Sequence, residues 1–165
     1  MKKLFLILML FAPVAIYAQK FGHVDTQAIM SSLPEVSRVN GELEALAKQY
    51  ENDLQASQTE LQRKAEEYDK NKSTMNATKQ QETEQSLQDM YARIQQQYQQ
   101  NQQDLAKAQN DKMQPIIDKV RKAIDAVGKT GGYVYIMEAS SVLYINDTIS
   151  KDVTAEVKAQ LAKMK

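Results

Sequence analysis

The sequence predicts an α+β chain that is mostly α: a long antiparallel coiled-coil helical hairpin on a small β-rich body. Three observations predict it. From Glu35 to about Val127 apolar residues recur at alternating spacings of three and four, the seam of a coiled coil rather than the wider stripe of a globular helix. Turn formers interrupt this pattern once, over residues 71–78. Runs of β-branched and aromatic residues, the strand formers, are confined to the two ends of the chain.

Residues 1–18 are read first, because they are expected to be removed. Lys2 and Lys3 form a basic start, Leu4 to Phe11 is an unbroken apolar run, and Ala15 and Ala18 are small enough for cleavage. The run is too short to span a bilayer, so it predicts a secretory signal peptide cut after Ala18 and a mature chain in the periplasm. With no cysteine, the exported chain makes no disulfide and has no lipid-anchoring residue. Without Lys2 and Lys3 it carries 19 Lys and Arg against 21 Asp and Glu, a net charge of about −2. That balance excludes a nucleic-acid binder held by counterion release.

The chain then divides into residues 19–41 (strand, short helix and root of the arm), 42–112 (the hairpin arm) and 113–165 (the rest of the body). Lys20 to Asp25 reads as a strand, with Asp25 capping a helix from Thr26 to about Ser32. Leu33-Pro34 stops that helix and Pro34 starts the first arm. The first-arm seam is Leu43, Ala47, Tyr50, Leu54, Ser57, Leu61, Ala65 and Tyr68. The return arm, expected from near Thr78 with Gln81 completing a capping box, continues it with Leu87, Tyr91, Ile94, Tyr98, Leu105 and Ala108.

Composition divides the return arm. Seven large apolar residues occupy the 44 positions from Asp69 to Lys112, against six in the 15 from Met113 to Val127. The distal hairpin therefore has little to bury and is expected to be loose, while the proximal part reads as a core helix. Pro115 lies at the change and predicts a kink or break. Gly128 to Gly132 ends the helix. Tyr133–Met137 and Val142–Ile145 read as two strands of a hairpin, and residues from Asp152 as a last helix with Val153, Val157 and Leu161 inward.

If the hairpin takes residues 35–127, only 54 mature residues remain for the body. A domain of that size buries only about 60% of its unfolded surface and is marginal without help. Lacking disulfides and metal ligands, it is expected to self-associate. Val24, Tyr133, Val134, Tyr135, Ile136, Val142, Leu143 and Tyr144 are the expected core of the body and of its contacts with neighbouring copies.

The order of elements resembles the Skp/OmpH family of periplasmic chaperones over essentially the whole mature chain. The residues that carry the resemblance are Gly22-His23-Val24-Asp25, Leu33-Pro34-Glu35, Pro115-Ile116-Ile117, Gly132-Tyr133-Val134-Tyr135-Ile136, Ser141-Val142-Leu143-Tyr144 and Asp152-Val153-Thr154-Ala155-Glu156-Val157. The resemblance implies a jellyfish-like homotrimer, a β-rich trimerisation body with hairpin tentacles around a cavity. It also implies an ATP-independent holdase for unfolded outer-membrane β-barrel proteins. Well-studied members are strongly basic whereas this chain is nearly neutral, so no lipopolysaccharide or membrane contact is carried over.

Chemistry has little to work with. His23 is the one histidine, set in an apolar strand, and no nucleophile, phosphate loop or metal-ligand motif occurs. The reading is therefore no enzyme, no cofactor and no metal. Tyr68, Met75, Met90, Tyr91 and Tyr98 are the candidate client contacts, since methionine and tyrosine make adaptable apolar surface. Within that set, Tyr91 is expected in the seam and Met75 and Met90 are expected to be the freest. The alternative function is a structural coiled-coil spacer or scaffold of the cell envelope.

Overall fold

The computed structural model describes residues 19–164; the expected signal peptide, residues 1–18, lies outside the described residues. The element order is β1 (Lys20–Val24), α1 (Thr26–Ser32), α2 (Pro34–Asn71), α3 (Ala77–Gly131), β2 (Tyr133–Glu138), β3 (Ser150–Asp152) and α4 (Thr154–Leu161). Short 3-10 turns occupy Lys72–Thr74 and Ala139–Ser141. The chain divides into two units, one holding residues 30–121 and the other the residues on either side.

The first unit is the helical hairpin. Pro34 starts α2 in the first turn, where its missing N–H costs nothing, and Leu33 before it is extended. At the hairpin turn the Lys79 amide donates to Asn76 Oδ1 at 2.8 Å, so Asn76, rather than a Thr78–Gln81 box, caps α3. Gln80 Nε2 donates to the carbonyls of Lys72 and Met75, at 3.0 Å each, and closes the turn. α3 runs unbroken for 55 residues with Pro115 inside it. A proline can stay within a helix when one lost hydrogen bond, here to the Asp111 carbonyl, is outweighed by the packing around it. Beside Pro115, Ile116 and Val120 are buried, as is Val39 on α2.

The second unit is built on a three-stranded sheet of order β2-β1-β3. β1 is the central strand and pairs in parallel with both neighbours. Phe21 stacks on Tyr135 across the β1–β2 ladder, ring centroids 4.8 Å apart. Gly132 sits at φ 67° and ends α3 in the left-handed conformation that glycine adopts freely. A side chain at Gly131 would run into the Tyr133 ring. The core includes Val24, Ile29, Ala123, Val153, Val157 and Leu161.

The expected hairpin of Tyr133–Met137 with Val142–Ile145 does not form. β1 already holds both strands of the ladder, and parallel strands on opposite sides of it need a crossover rather than a tight turn. Residues 142–149 make that crossover. The turn at its end is tied by Ile149 and Ser150 amides donating to the Asn146 carbonyl, at 3.0 and 2.8 Å. β3 therefore falls at Ser150–Asp152. Strand-forming residues without a ladder partner do not make a strand, and Leu143 is left fully exposed and Tyr144 78% exposed.

Candidate client-binding surface

The hairpin seam is fixed by periodicity on α2 and by a shifted phase on α3. On α2 the expected residues, Leu43, Ala47, Tyr50, Leu54, Ser57, Leu61, Ala65 and Tyr68, are all at least partly buried. On α3 the partly or fully buried line runs through Gln80, Thr83, Leu87, Met90, Ile94, Gln97 and Asn101. Tyr91 and Tyr98, expected in the seam, lie outside it, 59% and 51% exposed. Met90, expected to be free, takes the place given to Tyr91. The physical reason is that Leu87 and Ile94 admit two phases, one through Tyr91 and Tyr98 and one through Met90 and Gln97. The second puts polar side chains between the helices. Ser57 Oγ stands 3.4 Å from Gln97 Oε1 across the hairpin and also donates to the Asp53 carbonyl at 2.9 Å.

Charged contacts tie the hairpin at its two ends. At the base, Lys119 reaches Glu35 at 3.0 Å and Lys112 reaches Glu42 at 2.5 Å. The Glu42 carboxyl is held below the usual carboxylate range by Lys112 first and Arg38 second. Glu35 is lowered by a backbone hydrogen bond and then by Lys119. Near the turn, Tyr68, only 6% exposed, donates its hydroxyl to Glu84 Oε1. Lys72 Nζ reaches the same oxygen at 3.2 Å and lies 5.1 Å from the Tyr68 ring centroid. Together they hold the Glu84 carboxyl low, Tyr68 being the larger cause, and the carboxylate pushes the Tyr68 phenol up. Tyr68 thus spends its surface inside the hairpin, and Met75 lines a cavity of about 300 Å³ beside it.

Between these ends lies a groove of about 230 Å³ whose lining includes Tyr50, Glu51, Leu54, Tyr98 and Leu105. On the other flank of the seam a second groove, of about 420 Å³, is lined by residues including Ser57, Glu60, Met90, Arg93, Ile94 and Gln97. The hairpin therefore offers aromatic surface and shallow grooves. Among the described residues no group of three or more His, Asp or Glu converges to hold a metal. His23, the one candidate base, has Nδ1 3.0 Å from Ser150 Oγ, a contact that joins β1 to β3.

Residues 20–161 match the family of outer membrane proteins described as OmpH-like. The chain belongs to that family. A solved structure with a similar fold is a provisionally named outer membrane chaperone (OmpH-like) from Caulobacter crescentus CB15. It superposes on this OmpH-like chain with a TM-score of 0.77 at 18% identity, over 89% of this chain and 86% of its own. At that identity the likeness is one of fold. No curated protein matches the chain. In this OmpH-like chain the expected body residues separate by exposure. Val24 is buried and Tyr133, Ile136 and Val142 are partly buried, while Val134, Tyr135, Leu143 and Tyr144 face outward.

Proposed function

We propose that the protein is an ATP-independent periplasmic holdase that binds unfolded outer-membrane β-barrel proteins and prevents their aggregation. The observation that carries the reading is the division of labour along the hairpin. Polar side chains occupy the middle of the seam while Tyr91 and Tyr98 stand outside it. A two-helix pair whose seam gives some of its positions to glutamine and asparagine gains less from burial, and Tyr91 and Tyr98 are free for weak, repeated contacts with an unfolded chain. Such binding slows aggregation by mass action, without chemical energy. Membership of the OmpH-like family supports the same reading, as does the naming of the Caulobacter protein as a chaperone.

The working species in this proposal is a homotrimer joined through the sheet unit. Val134, Tyr135, Met137, Leu143, Tyr144 and Ile149 are exposed there, an apolar content that soluble surfaces rarely leave uncovered. A spacer with a fixed partner, the second reading, is favoured only by the ties at the two ends of the hairpin. The deciding experiment dilutes an unfolded β-barrel protein from urea and follows light scattering. The holdase suppresses scattering at one trimer per client; undiminished scattering overturns the proposal.

A further inference from the structure

The hairpin is two-sided. On α3, Tyr91, Tyr98 and Leu105 recur every seven residues along one edge of the seam, and Arg93, Gln100 and Lys107 recur along the other. Seven residues are two helical turns, about 10.5 Å of rise, so each set forms a straight row. The groove beside Tyr98 has Tyr50, Leu54 and Leu105 in its lining and a carboxylate, Glu51, at its rim. The groove on the opposite flank holds Arg93 with Glu60 instead.

The charge on the aromatic side is unbalanced. Glu44 and Glu51, seven residues apart, share that edge of α2, and among the described residues neither has an ion-pair partner. Facing Glu51, α3 carries no charged residue from Ile94 to Gln103. An exposed tyrosine ring lined up with an unpaired carboxylate has one natural complement. A guanidinium or ammonium stacks on the ring and pairs with the carboxylate, while apolar side chains beside it fill the groove.

We infer that the Tyr91–Tyr98–Leu105 edge is the client-facing side of the arm and that it takes unfolded segments in which aromatic or branched apolar residues stand next to arginine or lysine. This rests on the holdase reading and adds to it a side and a chemical preference. The opposite edge, with Arg93 and Lys107, is the solvated side.

The test uses the full mature chain and two fluorescein-labelled unstructured peptides. Both have the same tyrosine and leucine content, one flanked by lysines and one by glutamates, and anisotropy reads binding at low and high salt. The lysine peptide binds about fivefold tighter at low salt, the scale of one or two exposed charge pairs. That advantage disappears near 1 M salt, where the Debye length is about 3 Å. E51K abolishes the preference, D53K on the other edge leaves it intact, and Y98S weakens both peptides together. Circular dichroism confirms that each variant keeps its helices. Equal binding of the two peptides, or D53K acting like E51K, overturns the inference while suppression of client aggregation leaves the holdase standing. If neither peptide binds and aggregation is also unsuppressed, both fall.

Discussion

Tyr68 carries two readings in the sequence, the last residue of the first-arm seam and a candidate client contact. In the fold it takes the seam position: it is buried and its hydroxyl is taken by Glu84. Because Glu84 is held below the usual carboxylate range, its share of tip stability is present above the ordinary glutamate value. That share is lost as pH falls through the lowered one. The protection factors of tip amides, read at pH 6 and again near pH 3, should fall in the acid. E84Q should show the lower protection at both pH values. Ile29 makes a different kind of contribution. It is fully buried in the sheet unit, so Ile29→Ala should cost about 3 kcal/mol in urea unfolding, through lost burial and the cavity left behind.

At the scale of elements, the helices were legible and the sheet was only partly so. α1 was bounded by Asp25, whose carboxylate accepts from the Ala28 amide at 2.7 Å, and by Leu33-Pro34. α4 carried its inward Val153, Val157 and Leu161 at helical spacing. Such signals are local, which is why they could be read. The phase of α3 was not, because Tyr91 and Met90 are both apolar and the choice depends on what the opposing helix presents. β3 was invisible for a related reason. Ser150-Lys151-Asp152 has no strand propensity of its own and becomes a strand only by lying along Phe21–His23.

Two predictions belong to these elements. Gln97→Leu with Asn101→Leu fills the middle of the seam with apolar side chains and should stabilise the hairpin by roughly 1–2 kcal/mol. Protection of the residue 87–105 amides should rise, and aggregation suppression should fall if looseness of the arm is what clients use. Pro115→Ala restores the N–H that the Asp111 carbonyl lacks and should raise thermal stability, with up to about 3 kcal/mol available from the removed proline penalty. Differential scanning calorimetry reads it directly.

For the whole molecule the proposed trimer is the quantity to measure. Six exposed large apolar residues in one small unit make the monomer a poor final state. Stability should therefore depend on concentration: the melting temperature should fall by several degrees on hundredfold dilution, and Tyr144→Ser with Leu143→Ser should yield monomers by light scattering. A melting point independent of concentration would argue that these residues are simply exposed.

The parallel sheet has a further consequence, in time. β1 lies near the start of the chain, yet it pairs with Tyr133–Glu138 and Ser150–Asp152, which are made more than 100 residues later. A chain emerging N-terminus first can zip up its helical hairpin from neighbouring residues, whereas its central strand must wait for both partners. The arm is thus finished before its mount. During that interval β1 is an unpaired strand, the kind of edge on which chains aggregate, so a protein proposed to guard others during export would itself be most exposed just before its last residues arrive.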